Sequence, residues 1–215
     1  LPGIMEVLIG TGPWIILFAV LVYGFVHSLL ASLAAKARAR EWFASRADRW
    51  YRLFYNFFGI LTFLPVLGLV AVLPNREIYV IPAPWSYLTL CGQLLALLAL
   101  GVGLLQTGVW SFLGFEQVLN PAQAKPAQMV TGGLYRWVRH PLYTAGLVFI
   151  WLTPIMTDNL LALNLGLTIY LVVGAIYEER KLVREFGETY LRYQEITPML
   201  IPGIKRTAKP DQLQK

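Results

Sequence analysis

Two short polar segments carry the residues of this chain that could do chemistry. The first is Arg139-His140-Pro141, which opens an apolar run. Proline is favoured in the first turn of a helix, and a helix start with free N–H groups binds anions. With Arg139 and His140 beside it, this helix start would suit a carboxylate or a phosphate. The simpler interpretation is that Pro141 only starts the helix, while Arg139, His140 and Tyr143 anchor it at the membrane interface.

The second segment is Glu178-Glu179, where another apolar run gives way to charged residues. Two adjacent carboxylates at the edge of a membrane are costly unless they pair with an arginine or bind a cationic ligand. Considered alone, the pair fits equally well as two solvated charges that Arg180 and Lys181 offset. Both segments therefore need a structural element that holds them near each other before they can form a site.

The composition indicates what kind of protein positions these segments. Of the 215 residues, 57% are hydrophobic and only 14% are charged, whereas an ordinary soluble domain has about 25% charged residues. This balance excludes intrinsic disorder and leaves too few polar groups to cover a soluble surface. The net charge of +6 does not indicate nucleic-acid binding, because the basic residues are not part of a soluble surface that could contact a nucleic acid. The single cysteine, Cys91, excludes a disulfide framework and a cysteine-based metal site, and no metal is predicted.

Five apolar runs predict membrane-spanning helices, each of which needs about 20 residues. The predicted fold class is an all-α polytopic membrane protein with about five transmembrane helices plus a cytoplasmic C-terminal helix. The fourth run is short for a full crossing, and Pro154 lies near the turn to the fifth. The predicted spans are 13–35, 53–73, 86–109, 142–156 and 160–177, and the C-terminal helix is 178–193. Residues 1–203 are predicted to form one domain, with an interfacial amphipathic segment at 36–52 and a flexible tail at 204–215.

The basic residues predict how these spans are oriented. When the five spans are threaded through a membrane, all 18 Lys and Arg residues except Arg76 fall on one side. The side rich in Lys and Arg is the cytoplasmic one, so the N-terminus is predicted outside and the C-terminus inside the cell (inner) membrane. The first span carries its positive charges after the apolar run, whereas a signal peptide carries them before it. We therefore interpret it as a retained span.

Taken together, the two polar segments resemble the signature of integral-membrane methyltransferases. The resemblance rests on Arg139-His140-Pro141-Leu142-Tyr143, on Glu178-Glu179, and on Leu182, Phe186-Gly187, Tyr190 and Tyr193. That superfamily includes isoprenylcysteine carboxyl methyltransferases and phospholipid N-methyltransferases. The pair Gly101 and Gly103, followed by 110–115, is similar to the glycine motif of the phospholipid branch. The chain most resembles bacterial methanethiol S-methyltransferases, through segments 27–31, 112–118, 153–157 and 198–202.

The resemblance implies S-adenosylmethionine as methyl donor and a small or lipophilic acceptor, predicted to be a thiol, at the cytoplasmic face. The helix start at Arg139 would then hold the carboxylate of the cofactor, and Glu178 and Glu179 its amino group or ribose hydroxyls. Glu179 or His140 would remove the thiol proton. The implied catalytic residues are Glu179, His140 and Arg139. The implied cofactor-binding residues are Gly101, Gly103, Val130, Gly133, Tyr135, Arg139, His140, Tyr143, Glu178 and Glu179.

Two other interpretations stay open at the level of sequence. His27 and His140, the only two histidines, could ligate a haem, as in the membrane zeta-carotene isomerases that the His27 segment also resembles. The chain could instead be a non-catalytic membrane subunit of the same fold. The expected partners are the lipid bilayer and a small or lipophilic substrate, without nucleic acid. The sequence specifies neither the acceptor nor the oligomeric state.

Overall fold

The computed structural model of the chain describes residues 2–119 and 128–203, with side chains from residue 10 onward. Lys125, which contributes to the predicted orientation, and the predicted tail 204–215 lie outside the described residues. In chain order the elements are α1 (Pro2–Ala31), α2 (Leu33–Phe43), α3 (Ser45–Val72), β1 (Glu77–Val80), α4 (Trp85–Thr107), α5 (Val109–Leu113), α6 (Phe115–Leu119), a 3₁₀ turn (Gly133–Arg136), α7 (Pro141–Trp151), β2 (Ile155–Thr157), α8 (Asp158–Phe186) and α9 (Glu188–Ile196).

Four helices are long and apolar enough to cross a bilayer, and they confirm an all-α polytopic membrane protein. The four stretches are Gly10–Ala31, Ser45–Val72, Trp85–Thr107 and Asp158–Phe186. The predicted fourth span, 142–156, differs from the structure. Helix α7 has 11 residues and is therefore about 16 Å long, roughly half of the hydrocarbon thickness. It ends at Trp151 because Pro154 cannot continue a helix, and the residues after Pro154 form the strand β2.

Two predicted boundaries near the first span shift in the structure. The first helix ends at Ala31, because the Ser32 hydroxyl accepts a hydrogen bond from the Ala35 amide at 3.1 Å and so caps α2. The predicted amphipathic segment 36–52 is divided between α2 and α3, with Ala44 at φ 48 between them.

The predicted C-terminal helix 178–193 is also divided in two. Helix α8 continues through Phe186, and α9 begins after Gly187. Gly187 has φ 56, a left-handed conformation that glycine adopts more easily than other residues. The chain changes direction at this glycine, and α9 packs against α8.

The core of the bundle lies between α1, α3 and α8. Helices α1 and α8 run parallel, since Gly12 lies against Asn159 and Gly24 lies against Tyr170 further along both helices. Small residues at such contacts let membrane helices approach closely. The buried residues of this core are Ile16, Val20, Val66, Ala162 and Leu163.

A second pair of helices, α4 and α7, packs antiparallel beside this core. Gly92 of α4 lies against Leu152 at the end of α7, and Gly103 lies against Leu142 at its start. Helix α7 also contacts α8, while α5 and α6 contact α3. These contacts join the second pair to the core and bring the start of α7 beside the last turns of α8.

The strands β1 and β2 form an antiparallel sheet at the other end of the bundle. The sheet pairs Glu77 with Thr157 and Val80 with Ile155, and Arg76 lies beside it with its amide 3.0 Å from Asp158 Oδ1. The opposite end of the bundle is formed by the end of α1, α2, the start of α3, the start of α7 and the last turns of α8. The other basic residues of the described chain belong to these segments, to α9, and to the 3₁₀ turn and the residues that join it to α7.

Candidate active site

The start of α7 is held in place by the segment that follows α9. The Arg139 amide donates to the Pro198 carbonyl at 2.9 Å, and the His140 amide donates to the Met199 carbonyl at 3.1 Å. Pro141 then occupies the first turn of α7, where its missing N–H costs nothing. The backbone therefore fixes the two side chains that the sequence singles out, Arg139 and His140, against the last turns of α8.

Glu179 is the centre of a buried cluster of hydrogen bonds. Arg139 donates to both of its oxygens, from Nε to Oε1 at 2.9 Å and from Nη2 to Oε2 at 2.6 Å. His140 Nε2 lies 2.7 Å from Oε1, the Tyr190 hydroxyl donates to Oε1 at 2.7 Å, and Gln194 Nε2 donates to Oε2 at 2.5 Å. Glu179 is only 8% exposed. We call these five residues the Glu179 cluster.

Most of the hydrogen-bonding groups of Glu179 and Arg139 are already occupied, so few of them remain to bond a ligand. A carboxylate offers about four lone-pair sites, and five donor contacts surround this one. The Nη1 group of Arg139 donates to the carbonyls of Gln194 and Thr197, so four of its five N–H groups are engaged. The structure thus joins Arg139, His140 and Glu179 to one another and to α9, a set of partners that the sequence did not predict.

The charge state of His140 follows from the same contacts. Burial lowers the pKa of its imidazole, but hydrogen bonding and the negative charges of Glu178 and Glu179 outweigh burial and raise that pKa above its ordinary value. His140 Nδ1 lies 3.6 Å from Glu178 Oε2, and Nε2 lies against Glu179. The imidazole therefore stays protonated to a higher pH than an isolated histidine, and in that form it is a second cation beside the two carboxylates.

Glu178 is the carboxylate of the pair that can accept a ligand. Its Oε2 accepts a hydrogen bond from the Tyr143 hydroxyl at 2.8 Å, and its side chain is 43% exposed. Its Oε1 has no hydrogen-bond partner among the residues that the structure describes. The Tyr143 ring stacks on the His140 ring with their centroids 5.4 Å apart. Glu178 thus presents a free oxygen next to two aromatic rings.

Tyr135 lies close enough to this carboxylate to be affected by its charge. Burial and the negative charge of Glu178 raise the pKa of the Tyr135 hydroxyl to about 12, so it remains a neutral hydrogen-bond donor. Its backbone carbonyl accepts a hydrogen bond from the Tyr193 hydroxyl of α9. Val130, also implied by the resemblance, is half-buried in the extended segment before the 3₁₀ turn.

The predicted glycines have different surroundings. Gly133 has φ +58, and a Cβ there would lie 1.8 Å from the Gln106 amide nitrogen, whose side-chain oxygen accepts from the Leu134 amide at 3.2 Å. Gly133 therefore lets the 3₁₀ turn dock on α4. Gly103 packs on α7, as described above, whereas a Cβ at Gly101 would meet open space. The structure brings Gly103 and Gly133 to the elements of the site and gives Gly101 no close neighbour.

Some residues of the site could not be found from the sequence pattern alone. Gln194 joins the Glu179 cluster and Thr197 contacts its Arg139 only because α9 folds back, and Gln106 accepts from the Leu134 amide, 28 residues further along the chain. Tyr190 carried a signal, since it is part of the methyltransferase resemblance. Gln194 follows it by four residues, a spacing that puts both side chains on one face of a helix.

Protein groups surround both histidines of the haem interpretation. The ring of His140 faces Glu178 and Glu179. His27 Nδ1 lies within hydrogen-bond distance of the Tyr55 and Tyr170 hydroxyls. Its Nε2 packs so closely on Gly59 that a Cβ there would lie 2.7 Å from this nitrogen. An axial haem ligand needs an open ring nitrogen. This geometry does not favour the haem interpretation.

Comparison with known proteins places the chain in a family. A profile of the phospholipid methyltransferase family matches residues 90–189. A methanethiol S-methyltransferase of Pseudomonas deceptionensis is 37% identical over 115 residues, which cover 50% of this chain and 44% of that protein. A methanethiol S-methyltransferase of Pseudomonas sp. (strain GM41) is 32% identical over 216 residues, which cover 93% of this chain and 80% of that protein. The chain belongs to this family of membrane methyltransferases.

More distant relatives lie in the same superfamily. The human protein-S-isoprenylcysteine O-methyltransferase is 31% identical over 94 residues, which cover 42% of this chain and 33% of that protein. Its match and that of the Pseudomonas deceptionensis protein span less than half of each relative's length. No solved structure shows significant similarity to the chain. Membership of the family confirms the resemblance drawn from the two polar segments, both of which lie inside the residues 90–189 that the profile matches.

Proposed function

We propose that this protein transfers a methyl group from S-adenosylmethionine to a small or lipophilic thiol at the cytoplasmic face of the cell membrane. The observation that carries the proposal is the similarity to a methanethiol S-methyltransferase over 93% of the chain. The arrangement at the start of α7 and the last turns of α8 supports it, because a half-exposed carboxylate and several aromatic rings meet at one end of the membrane bundle.

The surroundings of Glu178 fit the positively charged part of such a donor. A free carboxylate oxygen would bind an ammonium group, and the faces of aromatic rings attract cations. Tyr143 and Tyr135 supply such rings and two hydroxyl groups. No side chain caps the first turn of α7, so its amide N–H groups can receive a carboxylate. We therefore propose that Glu178, Tyr135, Tyr143 and the start of α7 hold the donor.

The Glu179 cluster takes a different role in this proposal from the one implied by the resemblance. Because Glu179 and Arg139 are bonded to each other and to groups of α9, they position the start of α7 and α9 around the donor. When bound, S-adenosylmethionine supplies an activated methyl group on a sulfonium. The residues of the chain align the acceptor with that group and exclude water, which is the main requirement for an in-line displacement.

A competition experiment tests the acceptor. Purified protein with methyl-labelled S-adenosylmethionine is offered methanethiol, a prenylated cysteine and phosphatidylethanolamine together. We expect the label in the methyl thioether of the small thiol, because a thiolate is a strong nucleophile and needs little beyond alignment and loss of its proton. Label in the prenylated cysteine would move the acceptor to the carboxylate class. Label in the phospholipid alone would contradict the thiol proposal and leave methyl transfer intact.

The proposed orientation is testable with single cysteines. In a Cys91→Ala background, we introduce Glu77→Cys beside the sheet or Arg38→Cys in α2, both exposed positions. A membrane-impermeant thiol reagent added to intact cells should label Cys at position 77 and spare position 38, because basic segments stay in the cytoplasm. Both positions should react after the membrane is opened. Equal labelling in intact cells, or the reverse pattern, would contradict the orientation.

A further inference from the structure

A second polar cluster lies within the membrane bundle, on α1, α3 and α8. His27 of α1 is surrounded by three tyrosines, Tyr23 of its own helix, Tyr55 of α3 and Tyr170 of α8. The Tyr170 hydroxyl lies 2.6 Å from His27 Nδ1 and the Tyr55 hydroxyl 3.0 Å from the same atom. Tyr23 stacks on the imidazole with the ring centroids 5.4 Å apart. We call these four residues the His27 cluster.

The hydrogen bonds of the His27 cluster are incomplete. A neutral imidazole has one acceptor nitrogen with one lone pair, yet two hydroxyls lie at hydrogen-bond distance from Nδ1. In the tautomer with the ring proton on Nε2, one hydroxyl can donate to that lone pair, and the other is left to bond a further group. Neither Tyr55 nor Tyr170 has another side-chain or backbone hydrogen-bond partner in the described chain. Polar groups left in this state inside a membrane bundle indicate a functional site.

The helices leave room for these rings at two glycines. A Cβ at position 59 of α3 would lie 2.7 Å from His27 Nε2, and a Cβ at position 24 of α1 would lie 2.9 Å from the Tyr170 ring. The imidazole therefore lies directly against the backbone of α3. The groups that face it are the three tyrosines. In the described part of the chain, neither a carboxylate nor a cation bonds to it.

The His27 cluster lies on the bilayer side of the proposed donor site. Tyr170 precedes Glu178 by eight residues on α8, which corresponds to about 12 Å along the helix axis. An apolar groove of about 510 Å³ runs between α1 and α3, and Tyr23 is one of its lining residues, with Phe18 and Phe58. An apolar acceptor in this groove would contact Tyr23 of the His27 cluster.

The proposed reaction needs a proton acceptor, and the residues first implied for that role are engaged elsewhere. A thiol is a weak nucleophile until it loses its proton, since the thiolate is the reactive form. Glu179 accepts hydrogen bonds from four side chains, and His140 lies between two carboxylates. His27 is the remaining histidine. In the described chain no charged side chain bonds to it, and the tyrosine hydroxyls that bond to it can pass a proton.

We propose that His27 accepts the proton of the thiol through the hydroxyl of Tyr55 or Tyr170; the inference rests on the proposed function. The thiol S–H proton passes to the tyrosine oxygen while the tyrosine proton passes to His27 Nδ1. The sulfur lone pair forms the new bond to the methyl carbon, and the bond from that carbon to the sulfonium sulfur of the donor breaks. The electron pair stays on the donor sulfur. The products are a methyl thioether, the neutral donor thioether and an imidazolium, which later releases its proton to water.

The test compares thiols of different acidity in the His27→Gln variant of the full chain. General base catalysis contributes about 100- to 10,000-fold, so kcat/KM for an alkanethiol should fall by that factor. An aromatic thiol that is already ionised at the assay pH should lose less than about tenfold, because it has no proton to give. Raising the pH should restore activity towards the alkanethiol. Of Tyr55→Phe and Tyr170→Phe, which keep His27 and the rings, the variant that removes the relaying hydroxyl should show the same preference for the ionised thiol, and no such preference in either would overturn the inference.

The control is Tyr23→Phe, which removes a hydroxyl from the same cluster that is not bonded to His27; it should retain activity towards both thiols. An equal loss for both thiols in His27→Gln, or no loss, would overturn the inference and leave the proposed function standing. A loss of S-adenosylmethionine binding in His27→Gln would also overturn it, because the residue would then support the donor site. Absence of methyl transfer to any thiol by the unsubstituted protein would overturn the proposed function and this inference together.

Discussion

Replacing Glu179 with glutamine should lower the free energy of unfolding by about 3–5 kcal/mol, the cost of leaving one partner of a buried ion pair without the other. The side chains of Arg139 and Glu179 are 8% and 10% exposed, so water cannot take the place of the lost carboxylate. The glutamine keeps the shape of the side chain but cannot accept hydrogen bonds on both terminal atoms. The measurement is thermal or chemical unfolding in detergent micelles, followed by circular dichroism.

An exposed ion pair in the same chain provides the control. Arg40 and Asp48 are bonded at 2.5 Å, but their side chains are 67% and 55% exposed, and exposed pairs contribute only about 0.2–1 kcal/mol. Asp48→Asn should therefore leave the unfolding curve nearly unchanged. The double variant Arg139→Met, Glu179→Gln should cost less than the sum of its single variants, because the two residues interact directly. A Glu179→Gln protein as stable as the Asp48→Asn protein would contradict the role given to the Glu179 cluster.

The neighbouring substitution, Glu178→Gln, should act on ligand binding and not on stability. Its Oε1 is free and its side chain is 43% exposed, so the fold loses only the charge that faces the Tyr143 hydroxyl and His140 Nδ1. A hydrogen bond to a charged group contributes about 1.5–3 kcal/mol, which corresponds to a loss of about tenfold to a hundredfold in affinity. Isothermal titration with S-adenosylmethionine measures this change directly.

Glu185→Gln is the matched control for Glu178→Gln. Glu185 lies on the same helix, seven residues further along, and is exposed. Its replacement removes an equal charge from α8 without touching the proposed donor site, so the affinity should remain within about twofold, as expected for a distant surface change. If the affinities of Glu178→Gln and the unsubstituted protein were the same, Glu178 would no longer belong to the proposed donor site.

The sequence predicted the membrane class and the long helices well, because a membrane span can be recognised from the length and apolarity of a run of residues. It failed where tertiary contacts decide the backbone. The run 142–156 is apolar throughout, yet only its first part is helical, and residues 155–157 pair with a strand from a distant part of the chain. Ser32 and Gly187 divide apolar or amphipathic patterns that look continuous. Periodicity gives no sign of such breaks.

For the candidate site, the sequence singled out two segments that the structure brings together, but not the partners within them. Arg139, His140 and Glu179 do come together, although 40 residues separate the arginine from the glutamate. The sequence could not distinguish Glu178 from Glu179, because adjacent residues of a helix point in directions about 100° apart and their surroundings depend on which elements pack there. The fold of α9 against α8 decides that Glu179 is enclosed and Glu178 is open.

The pairing of Arg139 and His140 with Pro198 and Met199 also bears on the order in which the protein is made. A ribosome delivers the chain from its N-terminus, so the start of α7 leaves the ribosome before residues 198 and 199 do. Until then the two amides at the start of α7 lack their acceptors, and the side chains of Tyr190 and Gln194 are absent from the Glu179 carboxylate. Completion of the site is therefore a late event in biosynthesis, because it needs a segment that follows the last long helix in the chain.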